Sequence, residues 1–423
     1  MSFKFEWNAF ADQPHNVAPR LERFRHHLKH VDTYLTLFTS NLHLALPVLK
    51  LYLRNLKKMY GQPVQLENAF ALSVSPHEER NQEVIENLKE AGVKHSLVRI
   101  PSWEAGKLDY YGKFLELLHK NGIDFVIALL QRREDVTFSS SWKTFVEAVF
   151  SRFNKICSFY EVGHAWNRTK WGVWDYKEYL QLALPSLNLA QKYAVKLVGP
   201  AVIDFEFHLY PPTLNILAFD KVSSLLYVDR QGAPENSQFG MTTARKVSLL
   251  RAIVDSSGLR GRDLWVTEVN WPLKGTGKYS PASGKPNISE EEQANYLVRY
   301  FVICLASGHI QRIYWWQLVA PGYGLIDSRN LPWRKRPSFS AFKTMVKLLD
   351  KSLFVSKIKD KKAEIFLFNK EEESFALCWT KGPAFDLSFE RPVKKVLNRD
   401  GEEISFHPQK ITIEENPKYV FFS

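Results

Sequence analysis

The run LWVTEVNWP, Leu264 to Pro272, is apolar and aromatic up to Thr267, carries one acid at Glu268, and then meets the turn residues Asn270, Trp271 and Pro272. A short apolar strand buried on both faces belongs to a parallel sheet. A carboxylate at the C-terminal end of such a strand lies on the face where βα-barrels carry their chemistry. The rest of the chain is read for whether it makes Glu268 a catalytic group.

Working outward, apolar strands and amphipathic helices alternate on both sides of this run. Upstream come ENAFALSV, HSLVRIPSW, DFVIALLQ, SFYEVGHAW, KLVGPAVI and KVSSLLYVD, and downstream comes IQRIYWWQLV. Helical patterns such as NQEVIENLKEAGV, YYGKFLELLHKNGI and SEEEQANYLVRYFVICLASG separate them. With LWVTEVNWP this makes eight βα units, which predicts a closed (β/α)8 TIM barrel over 64–350. After residue 350 the pattern shortens to alternating strands with turn signals at NRDG and NP, which predicts a small β-sandwich over 351–423. Residues 1–63 are different: Leu42, Leu46, Leu49, Leu53 and Leu56 recur at helical spacing, with Lys50, Arg54, Lys57 and Lys58 elsewhere on the cylinder. This is a basic amphipathic helical extension, with a break expected at Pro47. Two uses are open for it: packing on the barrel, or docking on an anionic membrane surface or a partner subunit through residues 20–60.

The net charge of +12 favours anionic partners such as an acidic glycan or a phospholipid surface. Nucleic acid is the weakest of the anionic partners, because no zinc-ligand spacing, RNP-like motif or Walker loop accompanies the charge. No cofactor and no metal is implied. The three cysteines, Cys157, Cys304 and Cys378, sit far apart in apolar runs and read as reduced core residues. The segment MSFKFEWNAFADQPH lacks the pattern of a secretory leader, and no uncharged apolar run is long enough to cross a bilayer. A cytoplasmic location, with membrane association through the helices, is the expectation.

The strand ends supply the candidate site. They carry Arg99 and Trp103, Gln131 and Arg132, Glu161 to Asn167, Asp204, Glu206 and His208, Tyr227 and Asp229, Glu268 and Asn270, and Trp315, Trp316 and Gln317. An acid held by an Arg and a Tyr, among indole faces that stack on pyranose rings, describes a sugar-cleaving site. Glu268 is the candidate nucleophile. Arg99, Trp103, Asn167, Tyr227, Asn270, Trp315 and Trp316 are candidate substrate-binding residues, and Trp166, Trp171 and Trp174 are further candidates to line the cleft.

In VRIPSW, YEVGHAWN, WVTEVNWP and YWWQLVAPGYGLID, together with RPSFSAFK and the closing PKYVFF, the chain resembles the clan A retaining glycoside hydrolases, most of all a family 39-like branch. The resemblance spans roughly residues 65 to 423. It implies Glu268 as nucleophile, Arg99 and Tyr227 as the groups that hold it, and Trp316 or Trp315 as the floor of the sugar subsite. It also exposes a departure. Relatives read E-V-G-N-E-P-N on the fourth strand, where the second Glu is the acid/base. Here the run is Glu161-Val162-Gly163-His164-Ala165-Trp166-Asn167, so Ala165 stands in that place. General acid–base catalysis is typically worth ~10²–10⁴-fold, so its loss matters.

Three readings stay open. His164 replaces the donor, with Glu161, Asp175, Asp204, Glu206 and His208 as other candidates. Or the leaving group needs no acid. Or the protein binds glycan without cutting it. The expectation is an atypical glycoside hydrolase or transglycosylase acting on an anionic, bacterial-type glycan or glycolipid, such as a cell-envelope saccharide, with Glu268 and His164 as catalytic residues. The alternative is a catalytically impaired carbohydrate-binding protein or a scaffold subunit of an envelope-glycan complex.

Overall fold

The computed structural model describes residues 5–15, 19–228, 232–280 and 287–423. Its centre is a closed barrel of eight parallel strands. These are β1 (Phe70–Val74), β2 (His95–Pro101), β3 (Asp124–Leu130), β4 (Phe159–Val162), β5 (Lys196–Ile203), β6 (Lys221–Leu225), β7 (Leu264–Val269) and β8 (Arg312–Trp315). They are buried on both faces, as a barrel wrapped by helices requires. Inward-facing Ala71, Leu97, Ala128, Val198, Leu225, Trp265 and Tyr314 fill the barrel axis. Outward-facing neighbours such as Leu72, Val98, Val266 and Ile313 join the helix layer.

The chain enters through a short hairpin that pairs Trp7–Asn8 with Gln13–Pro14. Two helices follow, α1 (Arg20–Lys29) and α2 (Val31–Lys58). The expected break at Pro47 does not occur. The helix runs through it, and the chain bends instead at His30, which leaves helical geometry with ψ of 38°. Among the described residues, seven further helices of eight residues or more pack round the barrel: α3 (Asn81–Glu90), α4 (Leu108–Lys120), α5 (Ser139–Phe153), α6 (Tyr176–Tyr193), α7 (Thr243–Ser256), α8 (Glu290–Leu305) and α9 (Pro337–Leu349). Their starts follow local chemistry. Asp175 caps α6 by accepting from the Glu178 amide, and Ser289 with Glu292 forms a capping box on α8.

The C-terminal module is a six-stranded antiparallel sheet with a two-stranded ribbon, Phe385–Leu387 with Ile411–Ile413, on its outer face. Alternation along Glu373–Thr380 explains its two contacts. Phe375, Leu377 and Trp379 face the barrel's helices, while Ala376 and Cys378 face the ribbon. Val64–Gln65, which the sequence pattern assigns to the start of the barrel, instead forms the edge of this sheet by pairing with Leu353–Phe354. The Trp379 indole and the Arg299 guanidinium meet on Glu235, which ties the module to the barrel. No described helix is long and apolar enough to cross a membrane.

Candidate active site

Strand parity decides which side chains reach the barrel mouth. On β2, Leu97 faces the axis, so Arg99, two residues on, faces it too. On β8 the inward residue is Tyr314, which sends Trp315 outward to stack on Trp271 at 5.9 Å and leaves Trp316 for the mouth. Trp315 is therefore placed in the barrel–helix layer, and of the two only Trp316 lines the central cavity. On β7, strict alternation from Trp265 and Thr267 would put Glu268 outward beside Val266. A register irregularity between Val266 and Val269 adds a residue to the inward side, and Glu268 turns into the mouth while Val269 rejoins the outer layer.

Arg99 is the hub. One terminal nitrogen, Nη2, bonds the Glu268 carboxylate and lies 2.9 Å from His164 Nε2. The other, Nη1, lies 3.4 Å from the carboxylate of Asp12. The guanidinium carbon sits 3.3 Å above the centre of the Trp316 ring, a stacked cation–π contact. Tyr227 completes the grip on Glu268, its hydroxyl donating to Oε1 at 2.5 Å. Burial raises the Glu268 carboxyl above the usual range, against the pull of Arg99 and Tyr227. Burial also raises the Tyr227 phenol far above its ordinary value, so it stays a neutral donor.

His164 is held by an amide clamp. The Gln131 side chain accepts from the His164 N–H at 2.9 Å and donates to its carbonyl at 3.0 Å. Gly163, at φ of 79°, turns the chain just before it. Burial, then the charges of Arg99 and Lys170, depress the imidazole well below its usual range. A neutral ring that accepts from Arg99 at Nε2 carries its proton on Nδ1, which has no partner among the described residues. Ala165 is fully buried in the inner barrel layer beside Trp171 and does not line the cavity.

The cavity over Glu268 encloses about 150 Å³ and is roofed by Ala11, Asp12 and Gln13 of the entry hairpin. Sequence reasoning missed these residues, together with Arg168 and Lys170 on its rim. Nothing in NAFADQPH marks it as part of a barrel mouth, because the contact joins residues far apart in the chain. Aromatic rings fasten the hairpin: Trp7 packs on Trp103 at 5.0 Å and on Trp171 at 6.0 Å. Lys170 adds a bond to Gln13 at 2.6 Å. Burial raises the Asp12 carboxyl above its usual range, against the opposing charge of Arg99.

The remaining candidates separate cleanly. Asn270, Asp204 and Trp171 line the cavity. Asn167 does not; its side chain bridges the backbone of Ile203 and the carboxylate of Glu206, fixing one loop to the next. Trp103 lies under the hairpin, in a neighbouring hollow. Arg168 clamps Asp204 and Glu206. Trp166 stacks on Tyr179, and Trp174 lies against Arg133. Asp229 falls outside the described residues.

Glu161 lies below the mouth, buried on the axis, and burial pushes its carboxyl up to about 7 despite the nearby Thr267 and Ser223 hydroxyls. A buried acid whose folded pKa exceeds its unfolded value is protonated in the native state where the unfolded chain is already ionised. Stability therefore falls as pH rises from about 4.5 to about 7. Glu161→Gln keeps the shape without the titration. It is expected to flatten the melting temperature over that window, read by calorimetry across pH; an unchanged slope would show that Glu161 does not titrate there.

No family model and no curated protein matches the chain. Solved structures do. The chain is similar to a family 39 glycoside hydrolase from the gut symbiont Bacteroides cellulosilyticus WH2, at a TM-score of 0.66 and 15% identity, over 84% of this chain and 81% of that one. The fold resembles that of the clan A glycoside hydrolases. A family 30 endoxylanase from Clostridium papyrosolvens C71 matches at a TM-score of 0.58 and 12% identity, over 86% and 98% of the two chains. A family 51 arabinofuranosidase from Xanthomonas axonopodis pv. citri matches at 0.56 and 11%, with the same coverage of 86% and 98%. At such identities the likeness speaks to the fold alone, and function has to be argued from the site.

Proposed function

We propose that the chain is a glycosidase of the retaining kind, acting on an anionic bacterial-type glycan or glycolipid, with Glu268 as nucleophile and Asp12 as proton donor. The observation that carries this is the shared guanidinium. Arg99 holds Glu268 on one terminal nitrogen and Asp12 on the other. Two carboxylates on one guanidinium stand close together, and a close pair is what the retaining mechanism uses. Ala165 stands where the resemblance implies a fourth-strand acid, and the entry hairpin brings the Asp12 carboxyl to the cavity that Glu268 lines.

In the first half-reaction Glu268 attacks the anomeric carbon as the glycosidic C–O bond breaks. The Asp12 carboxyl passes its proton to the departing oxygen. In the second, water attacks the same carbon, Asp12 takes its proton, and Glu268 leaves as a carboxylate. Burial raises Asp12 toward the protonated form that the first step needs. His164, depressed and accepting from Arg99, suits a positioning role. Lys170 on the rim, with the overall charge of +12, suits an anionic substituent on the sugar. Three free, buried cysteines suit work in the cytoplasm.

The roofed mouth also favours a second reading, a barrel that holds a glycan end without cutting it, alone or as a scaffold subunit. Kinetics on a panel of aryl glycosides and glycuronides separate the two. Asp12→Asn is expected to lower kcat by about 10²–10⁴-fold on poor leaving groups, to spare activated dinitrophenyl leaving groups, and to remove the alkaline limb of the pH profile. Loss of that limb in His164→Asn instead would make His164 the donor. Absence of turnover on every member by the unaltered chain, with glycan binding intact, would favour the second reading.

A further inference from the structure

The leucine face of the N-terminal helices does not pack on the barrel. Thr33, Leu44 and Asn55 turn inward, and the Asn55 and Asn41 side chains bond the carbonyls of Ser248 and His208. The opposite face is bare. Leu21, Phe24, Leu28, Val31, Leu35, Phe38, Leu42, Leu46, Leu49 and Leu53 form one exposed row across both helices, with Leu46 at 78% and Phe38 at 65% accessibility. They step by three and four residues without interruption, even across the bend at His30. A helix of 28 residues is about 42 Å long, so the row in α2 alone runs far past the size of an ordinary exposed apolar patch.

Exposed Arg20, Arg25, Lys29, Lys50, Arg54 and Lys57 border the row. The two helices hold only two acids, Glu22 and Asp32, and Asp32 is bonded to Lys177. An apolar stripe with basic borders lies in the plane of a lipid interface, leucines among acyl chains and cations among phosphates. A second copy of the chain fits poorly, since a two-fold contact brings basic border against basic border.

We infer that α1 and α2 dock the protein, side-on, onto an anionic phospholipid bilayer. Leucine burial supplies the apolar part of the binding and the bordering cations the preference for anionic headgroups. The first helix rests on the loop that carries the cavity's rim, where Arg23 bonds Thr169 and His26 bonds Asp175. Docking therefore sets the barrel mouth beside the headgroup layer. That this delivers a glycolipid headgroup to Glu268 rests on the glycosidase reading above; the docking does not.

The test is co-sedimentation of the full chain with phosphatidylcholine vesicles, with and without phosphatidylglycerol. Binding is expected only with phosphatidylglycerol present, weakening with salt. Paired Leu46→Glu and Leu49→Glu, on the outer face and away from the cavity, should cut partitioning by more than about tenfold while circular dichroism and melting stay unchanged. Replacing Lys50, Arg54 and Lys57 with Gln should remove the phosphatidylglycerol preference. No binding to anionic vesicles overturns the inference. So does undiminished binding by the leucine variant, or a self-association in ultracentrifugation that this variant abolishes without any vesicle binding. Glu268→Gln should bind vesicles like the unaltered chain, so failure of docking and failure of the chemistry are told apart.

Discussion

Glu268→Gln is expected to lower kcat by between about 10³- and 10⁶-fold, the range over which enzymes lose rate when their nucleophile is removed. The amide fills the same volume, keeps its oxygen to accept from Arg99 while its NH2 donates to the Tyr227 oxygen, and cannot form the glycosyl ester. Its stability should hold, because the lost pairing with Arg99 is offset by removal of a buried acid that burial drives above its usual range. Loss of turnover with an unshifted melting temperature is thus the expected pair of readings. Turnover that survives unchanged would remove Glu268 from the chemistry and leave it as a structural partner of Arg99.

Arg99→Met is expected to have the largest effect on stability, about 3–5 kcal/mol at neutral pH, because it leaves Glu268 and Asp12 without their shared cation. The sign with pH follows from burial. Without Arg99 both carboxyls rise further, so the native state binds protons that the unfolded chain has released, and stability falls as pH rises through that window. Most of the loss should therefore return on acidification. Denaturant unfolding across pH reads it; a loss that does not vary with pH would mean that Arg99 acts through packing on Trp316 alone. Activity should fall as well, since Arg99 orients both carboxylates.

Much of this site was legible in one dimension. The eight-unit alternation gave a barrel, and the barrel rule drew attention to strand ends. Glu268, Arg99, Tyr227 and Trp316 come together in the mouth, as their places at the ends of β7, β2, β6 and β8 suggested. The sequence leaves Trp315 and Trp316 as equal candidates; period-2 alternation sends Trp315 outward only once the structure places Tyr314 on the axis. Asn167 could not be judged that way. It lies in an irregular loop where no periodicity applies, and only its bonds to Ile203 and Glu206 show its structural use.

The helical extension shows the same limit. Its leucine periodicity was plain, but periodicity says that residues share a face, not what that face meets. Packing put Thr33, Leu44 and Asn55 against the barrel and left the leucines outside. Proline removes one helix bond, so the sequence predicts a break at Pro47. The structure instead bends the pair at His30.

The sequence by itself determined the barrel, its appended strands and the acid at the end of LWVTEVNWP, because each is written in local periodicity and strand-end chemistry. Tertiary structure alone decided how that acid faces and what stands opposite it. A register irregularity on β7 turns Glu268 inward against simple alternation. A hairpin more than 250 residues away in sequence brings Asp12 to the same guanidinium. Neither is encoded by spacing along the chain; both arise where separate segments close over one cavity.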